Sequence, residues 1–426
     1  MDKYHIKIGV VADDFTGASD AASFIKKGGL ATLLLNGTPT NQIDLSGIAA
    51  IVIALKTRTM AKKNAVELSI EAFEWLKSNG VNQIYSKYCS TLDSTKEGNI
   101  GPIIDSVLER YNYPYTIIAP SLPANGRVVR KGHLYVNGVR LHKSSMKDHP
   151  LTPMWDSKIS NLMSSQGKYK CVELSRELIY KDIDSIMSFI SCNMNSNQKL
   201  YIIPDYIDDN DGERIAYIFK NLPFLTGGSG LLEFLAKAYN NDIEDKNNNR
   251  YNLEVPSEGK VLILAGSVSQ STQEQVNFFI QTGNPSFKVD PLRIFEDEFI
   301  LNIHNYIENN KNKSILIYSS DTPQKVKEYQ RLGKEMIAKQ IEKIFGEIAK
   351  IALKTGYSKI VVAGGETSGA VMQSLKYDKF IIGKSIAPGV PIMVPISDPC
   401  IRVILKSGNF GDKDFFANAL SAMEGF

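Results

Sequence analysis

The sequence predicts an α/β protein of two domains, each built on a mainly parallel sheet flanked by helices. Seven short apolar runs, rich in β-branched residues and without polar alternation, indicate strands that are buried on both faces. They read IKIGVVA, AIVIAL, YTIIAP, KLYIIP, VLILAG, SILIYSS and KIVVAGG. Longer stretches with helical spacing, such as residues 64–80 and 335–356, lie between most of them. This alternation is typical of parallel sheets with helical crossovers.

A polar, asparagine-rich segment divides the chain into two halves. It reads NNDIEDKNNNRYNLEVPSEG over residues 240–259, and this composition is typical of an exposed linker. We therefore predict a first domain over residues 1–240, a linker over 241–258 and a second domain over 259–426. Small-molecule sites often lie between two domains, so the active site is expected in the interdomain cleft.

Composition excludes several classes of protein. The chain has 426 residues, of which 43% are apolar and 22% charged, as in ordinary globular proteins. A net charge of +3 argues against a nucleic-acid partner. The four cysteines form no C-x-x-C pair, which favours scattered reduced thiols over a zinc or dithiol site. Apolar runs fall far short of the ~20 residues that span a bilayer, so we expect a cytoplasmic protein without a membrane partner.

Turn residues predict one hairpin and two helix ends. Asn137 and Gly138 lie between alternating apolar residues in HLYVNGVRLH, and both positions of such a turn need positive φ. This hairpin is expected to be an appendage on the first domain. Gly28 and Gly29 follow one helical stretch and Gly80 follows another, as glycines just past a helix C-terminus do.

Two adjacent carboxylates follow the first predicted strand. Ligands of parallel α/β folds bind at the carboxyl ends of strands, where Asp13 and Asp14 stand. The pair could bind a sugar hydroxyl, hold a metal or serve as a base, and either residue could instead cap the next helix. We predict a cap for one of them and a function for the other.

A cluster of hydroxyl and charged residues follows a later strand. Lys87, Ser90, Thr91 and Asp93 lie in the loop KYCSTLDSTKEGNIGP, residues 87–102. Hydroxyls and a lysine in a glycine-bounded loop favour an anionic, hydroxylated ligand. The alternative is an ordinary polar loop, because serine, threonine and aspartate are also turn residues.

Three further residues of the first half are candidates for ligand binding. Asn125 and Arg127 follow the strand YTIIAP, and a guanidinium there is suited to a carboxylate. A structural ion pair would explain a lone arginine nearly as well. His149 lies in the proline-bounded segment KDHPLTPM, and its spacing leaves a structural and a functional role equally open.

Three turns of small residues follow strands of the second half. Each is predicted to lead from a strand into a helix, so that backbone N–H groups can approach phosphate oxygens. Neither a Walker A motif nor a G-x-G-x-x-G fingerprint is present. Together the turns favour a nucleotide pocket. Its candidate residues are Ser267, Gly364, Gly365, Glu366, Thr367 and Gly408.

Eight motifs occur in the chain in the order of a known family. They are VADDFTGASDAA, KYCSTLDSTKEGNIGP, PANGR, TGGSGL, AGSVSQSTQEQV, AGGETSGAV, APGVP and LKSGNFG, and they cover about residues 8–416. The chain therefore resembles the four-carbon acid sugar kinases. The resemblance implies an N-terminal domain that binds a sugar acid and a C-terminal domain that binds ATP.

The resemblance also implies roles for the candidate residues. It assigns Asp13, Asp14, Lys87, Arg127 and Ser90 to the sugar-acid side. On that side Thr91, Asp93, Asn125 and His149 are further expected substrate contacts, and Ser267, Gly364 to Thr367 and Gly408 lie on the ATP side. An aspartate would orient or deprotonate the C4 hydroxyl, with Asp14 preferred over Asp13. Lys87 and Arg127 would hold the carboxylate or the transferring phosphoryl group.

The implied reaction is phosphorylation of the C4 hydroxyl of a four-carbon sugar acid by ATP with Mg²⁺, whose protein ligands stay undefined. Lys96 and Glu97 stand where the threonate and erythronate form carries an arginine before Gly98. With DHPLTPM, this implies 3-oxo-tetronate as the substrate, and D-threonate or D-erythronate as alternatives. A non-catalytic sugar-acid sensor and a nicotinamide-dependent dehydrogenase are alternatives of other classes, and the missing fingerprint argues against the dehydrogenase. A homodimer is compatible with the resemblance.

Overall fold

The computed structural model describes residues 6–148, 152–194, 199–240, 256–321, 325 and 333–424. The chain divides into two compact units, Met1–Arg250 and Tyr251–Phe426. Residues 241–255 of the predicted linker lie outside the described residues.

The first unit carries eleven strands and eight α-helices in its described part. The strands are β1 (Ile8–Ala12), β2 (Thr32–Asn36), β3 (Ala50–Ala54), β4 (Gln83–Lys87), β5 (Tyr115–Ala119), β6 (Arg127–Arg130), β7 (His133–Val136), β8 (Val139–Arg140), β9 (Lys170–Leu174), β10 (Leu200–Pro204) and β11 (Phe224–Gly227). The helices are α1 (Phe15–Lys27), α2 (Lys62–Ser78), α3 (Ile100–Arg110), α4 (Ile159–Ser164), α5 (Arg176–Ile179), α6 (Ile183–Asn193), α7 (Asp209–Phe219) and α8 (Gly230–Asn240).

The main sheet of this unit has the strand order β2-β3-β1-β4-β11-β5-β10-β9, and all neighbours run parallel. Every residue of β1, β3, β4 and β10 is buried, which explains the continuous apolar character of β1, β3 and β10. Because β1 pairs with β3 on one side and β4 on the other, the segments that follow these three strands meet at one edge of the sheet.

Local signals in the sequence define the ends of the first helices. Asp14 caps α1, which ends at Lys27, and α2 ends at Ser78. Gly29 and Gly80 follow with φ of 101° and 83°, the left-handed region that glycine enters without strain. The predicted helix ends are therefore confirmed.

The predicted hairpin is also confirmed. It forms β7 and β8, with Val136 paired to Val139 in antiparallel register. Asn137 and Gly138 have φ of 50° and 79°, as this two-residue turn requires. With β6 the hairpin makes a separate three-stranded sheet.

The second unit carries seven strands and five α-helices in its described part. The strands are β12 (Val261–Ala265), β13 (Ser286–Lys288), β14 (Ile315–Tyr318), β15 (Lys359–Ala363), β16 (Lys379–Ala387), β17 (Val390–Pro395) and β18 (Arg402–Lys406). The helices are α9 (Gln270–Gln281), α10 (Asp297–Asn309), α11 (Lys334–Lys354), α12 (Gly365–Leu375) and α13 (Phe415–Glu424).

Its strands follow the order β13-β14-β12-β15-β18-β17-β16. The first five of these run parallel, and β17 is antiparallel to both β18 and β16. The α/β class with mainly parallel sheets is therefore confirmed. The antiparallel pair was not predicted, although Gly389 in APGVP, at φ 79°, forms part of its turn.

The third predicted strand-to-helix connection of this unit is longer than the other two. β12 and β15 do lead within a few residues into α9 and α12, but residues 407–414 separate β18 from α13. A glycine-rich turn after a strand signals a close backbone approach as readily as the start of a helix.

Among the described residues, no helix combines the length and apolar character that crossing a bilayer requires.

Candidate active site

A pocket lies at the carboxyl ends of β1, β3 and β4 in the first unit. It contains about 390 Å³ of space, part of it open to solvent. Hydrophobic side chains from β1 and α3 form part of its wall. Its polar lining residues include Asp13, Arg58, Lys87, Asp93, Ser94 and Asn99.

Arg58 is paired with both aspartates that end the first strand. Its Nε and Nη2 each donate to one carboxylate oxygen of Asp13 at 2.8 Å, and Nη2 also lies 2.9 Å from Asp14 Oδ1. The backbone N–H groups of Thr57 and Arg58 donate to the carbonyl of Asp13 at 3.0 and 3.3 Å. Bidentate, charge-assisted pairing of this kind holds both partners in one orientation.

Asp14 is the cap predicted for one member of the pair. Its Oδ1 accepts from the Gly17 N–H at 2.9 Å and its Oδ2 from Thr16 Oγ1 at 3.0 Å. Burial alone would raise the pKa of Asp14. The charges of Arg58 and Lys87, together with these hydrogen bonds, outweigh burial and hold this pKa below its ordinary value. Asp14 is therefore ionised at neutral pH.

Lys87 presents a buried ammonium group to the pocket. Lys87 as a whole is 3% exposed, and its Nζ lies 3.8 Å from Asp20 Oδ2. A Cβ placed on Gly17 would lie 2.3 Å from this Nζ and 2.2 Å from Asp14 Oδ1. The ammonium group therefore packs directly against the backbone of α1, at a point where only glycine leaves room.

The loop after β4 is only partly brought to the pocket. Asp93 lines the pocket and accepts from Thr91 Oγ1 at 2.6 Å. Ser90 is buried, and its Cα would lie 3.5 Å from a Cβ placed on Gly228. The structure thus connects Thr91 to the pocket through Asp93, while Ser90 lies against the turn after β11.

Asn99 ties this loop to the segment that carries Arg58. Its Nδ2 donates to the carbonyl oxygens of Thr57 at 2.7 Å and Met60 at 2.8 Å.

The sequence analysis placed no function on Arg58 or Asp20. The signal for Arg58 was available, because it follows the buried strand AIVIAL as Asp13 follows the first strand.

Arg127 and Asn125 contact each other beside the small sheet. Arg127 begins β6, and its Nη1 donates to the backbone carbonyl of Asn125. The Arg127 Nε and the Asn125 Nδ2 are buried and find no hydrogen-bond partner in the described part of the chain. Arg127 is close enough to Asp20 to interact with that carboxyl group electrostatically. His149 lies outside the described residues.

In the second unit, the three predicted turns lie side by side at one sheet edge. The Ser267 N–H donates to the Ala363 carbonyl at 3.2 Å, and the Gly364 N–H donates to the Lys406 carbonyl at 2.9 Å. A Cβ on Gly408 would lie 2.3 Å from Ser267 Oγ. The parallel order β12-β15-β18 thus brings the turns into mutual contact.

The first turn of α12 is open to a ligand. Its N-cap is Gly364, at φ 126°, and no side chain caps the helix in the described structure. The neighbouring α9, by contrast, is capped by Ser269. The uncapped N–H groups at the start of α12 and the positive end of its dipole are suited to an anion such as phosphate. Glu366 and Thr367 lie in this first turn.

A fully buried lysine at the end of β18 contacts one of these turns. Lys406 Nζ donates to Thr272 Oγ1 at 3.1 Å and to the carbonyls of Ser407 and Gly408 at 3.1 and 3.0 Å. Burial lowers the pKa of Lys406 to about 7. All three oxygen atoms around Nζ belong to the protein, so Lys406 holds the turn in place.

Comparison with known proteins agrees with this division into two kinds of site. A sugar-binding N-terminal domain model matches residues 8–235, and a nucleotide-binding C-terminal domain model matches residues 262–416. The pocket with Arg58 and Lys87 lies within the first match, and the three turns lie within the second. The protein is thus of the class that joins a sugar-binding to a nucleotide-binding domain.

Full-length relatives refine this class. The chain is 37% identical to the 3-oxo-tetronate kinase of Haemophilus influenzae, over 97% of this chain and 98% of the relative. It is 37% identical to that of Brucella melitensis biotype 1, over 98% and 95%. A solved Salmonella typhimurium LT2 protein, provisionally described as a tRNA synthase, is 35% identical over 97% and 98% of the chains, with a TM-score of 0.85. The chain belongs to the four-carbon acid sugar kinase family.

The close approach at Gly17 gives the first testable prediction. Gly17→Ala should lower kcat/KM about tenfold or more, because the new methyl group displaces the Lys87 ammonium and the Asp14 carboxylate. Stability should fall by about 1–2 kcal/mol, because the displaced Asp14 carboxylate no longer caps α1 well, and the helix preference of alanine offsets part of this loss. Steady-state kinetics and thermal unfolding measure the two effects.

Gly212→Ala is the matched control, because its added Cβ would meet the ring of Phe234 and the hydroxyl of Tyr206, away from the pocket. That variant should lose about 1–3 kcal/mol of stability and keep kcat/KM. If Gly17→Ala keeps wild-type kinetics, the packing described for Lys87 does not control the site.

The second prediction concerns the link between the two pocket loops. Asn99→Ala should raise the KM for the sugar acid and lower stability by about 1–3 kcal/mol, because one buried and one partly buried carbonyl group lose their donor and Arg58 loses its support. Denaturant unfolding and substrate titration measure both. Asn79→Ala, which removes a bond to Trp75 at the end of α2, is the control and should leave KM unchanged. An unchanged KM in Asn99→Ala would contradict the role given to this link.

Proposed function

We propose that the protein is a kinase that transfers the γ-phosphoryl group of ATP to the C4 hydroxyl of 3-oxo-tetronate. The observation that carries the proposal is the pocket of the sugar-binding domain, where Asp13, Arg58 and Lys87 meet at adjacent strand ends. Full-length similarity to 3-oxo-tetronate kinases of several bacteria supports the choice of substrate.

The pocket offers complementary groups for a hydroxylated acid. Lys87 supplies an ammonium group whose carboxylate partner, Asp20 Oδ2, lies 3.8 Å away, beyond hydrogen-bond distance. Its N–H donors can therefore turn to a substrate oxygen. The carboxylates of Asp13 and Asp93 can accept from sugar hydroxyl groups. Arg127 is a second candidate for the substrate carboxylate or the transferring phosphoryl group.

Phosphoryl transfer requires positioning and charge stabilisation more than a strong base. Asp14 is committed to the α1 cap and has a lowered pKa. Asp13 lines the pocket, and each of its oxygens accepts one bond from Arg58 and keeps a further lone pair for a substrate hydroxyl group. These contacts favour Asp13 for orienting the C4 hydroxyl, which reverses the preference for Asp14 in the sequence analysis.

The three turns of the nucleotide-binding domain would hold the ATP phosphates. The uncapped α12 N-terminus at Gly364 to Thr367 would receive an anionic oxygen, and the close turns at Ser267 and Gly408 would allow backbone approach. This small-residue lining fits a triphosphate, which needs donors and space more than side-chain bulk.

Mg²⁺ would be held mainly by the substrate. The described residues include no group of three or more histidine, cysteine or acidic side chains that could hold a metal ion. Mg²⁺ in kinases keeps several waters and binds phosphate oxygens together with only one or two carboxylates. The lack of a cluster of three such side chains among the described residues is therefore compatible with Mg²⁺. When bound, the ion neutralises charge on the phosphates.

Four further expectations stay predictions. They are the domain boundaries 1–240 and 259–426, the location of the active site in a cleft between the domains, a homodimer, and a cytoplasmic location.

The third prediction tests the reaction itself. Coupled ADP-release measurements with Mg²⁺ should give the highest kcat/KM for 3-oxo-tetronate in a panel that includes D-threonate and D-erythronate. Preferred turnover of either reduced acid would overturn the substrate assignment. A folded protein that turns over no acid in the panel, but binds one, would instead favour a non-catalytic sensor.

The fourth prediction separates the two aspartates. Asp13→Asn should lower kcat about 10²-fold or more, because the amide cannot orient the hydroxyl as a carboxylate does. Asp14→Asn should have a smaller effect on kcat and a larger one on stability, since it weakens the α1 cap and the pairing with Arg58. ATP affinity, measured by calorimetry, should be unchanged in both. A greater kcat loss in Asp14→Asn would restore the preference for Asp14.

A further inference from the structure

A buried carboxyl group lies directly behind Lys87. Asp20, on α1, is 5% exposed, and its Oδ2 lies 3.8 Å from the Lys87 Nζ. The same oxygen accepts from Ser229 Oγ at 2.5 Å. The other oxygen, Oδ1, is buried and has no hydrogen-bond partner among the described residues. Burying such a carboxylate costs free energy unless a neighbouring opposite charge or hydrogen bonds compensate for the lost water.

The Lys87 ammonium group packs against α1 between two carboxylates. Gly17 allows it to approach the helix backbone, with Asp14 one turn before and Asp20 one turn after this glycine. Asp14 is already engaged by Arg58, Thr16 and the Gly17 N–H. Asp20 is therefore the carboxylate whose interaction with Lys87 has the fewest competitors.

We propose that Asp20 is a positioning residue whose carboxylate fixes the Lys87 ammonium group in the orientation that phosphoryl transfer requires. The inference rests on the proposed kinase function. Asp20 acts through Lys87, which lines the pocket, and Ser229 fixes the carboxylate in turn.

The charge of Asp20 depends on pH near neutrality. Burial raises the pKa of Asp20 from 3.8 to about 6, and the Asp14 carboxylate on the same helix acts in the same direction. Lys87 from β4, the Ser229 hydroxyl from the start of α8 and Arg127 from β6 oppose this rise. Below about pH 6 the carboxyl group takes up a proton from solvent and its hold on Lys87 weakens. Activity should therefore fall on the acid side.

The test compares Asp20→Asn with the wild type across pH. The amide keeps the size of the side chain but carries no charge at any pH. Near pH 7.5 its kcat should be about tenfold or more below wild type, while the KM for the sugar acid changes less than about threefold. The wild-type kcat should show an acid limb with an apparent pKa near 6, and Asp20→Asn should lack this limb.

Two further variants keep the test decisive. Asp20→Glu restores the charge and should recover an acid limb. Ser229→Ala removes a hydrogen bond that lowers the pKa of Asp20, so its acid limb should move to higher pH. A purely structural role for Asp20 would change stability without moving either limb.

The outcomes distinguish this inference from the function on which it rests. Wild-type turnover together with an unchanged kcat and acid limb in Asp20→Asn would overturn the inference and leave the kinase function intact. If Asp20→Asn fails to fold, an acid limb that stays in place in Ser229→Ala overturns it instead. No turnover by the wild type would overturn the proposed function and the inference with it.

Discussion

Three neighbouring parallel strands of the first unit end at the same edge of the sheet, and the pocket depends on this register. β1 pairs with β3 and β4 residue by residue, so Asp13, Arg58 and Lys87 emerge side by side although they are distant in the chain. The bidentate bond between Arg58 and Asp13 then joins the ends of β1 and β3 directly. Without the parallel pairing, these charges would have no common site.

The balance of buried charge explains why two aspartates of one helix behave differently. A buried charge is stable only where opposite charge and hydrogen bonds replace water. Asp14 has Arg58, Thr16 and the helix amide, and stays ionised. Asp20 has a more distant ammonium and one hydroxyl, and its pKa rises from 3.8 to about 6. Folding stability contributed by Asp20 is therefore lost as pH rises through this range, because the folded state holds the proton more tightly than the unfolded state does.

The two units build their sites from different materials. The first uses charged side chains at strand ends, suited to an acid with hydroxyl groups. The second uses glycines, backbone amides and an uncapped helix, suited to phosphate oxygens. Lys406 illustrates the difference, because its Nζ is bonded to three oxygen atoms of the protein and supports the turn at Gly408. A sugar-acid kinase needs both kinds of site.

The sequence by itself determined the local structure and the family. Buried strands, the Asp14 cap, the Asn137–Gly138 turn and the glycines after α1 and α2 were predictable because each depends on residues close together in the chain. The ordered motifs identified the family for the same reason. Only the tertiary structure decided strand order, and with it the pairing of Arg58 with two aspartates, the place of Asp20 behind Lys87 and the antiparallel β17. Those contacts join residues far apart in sequence, and the spacing of motifs along a chain does not specify which strands become neighbours.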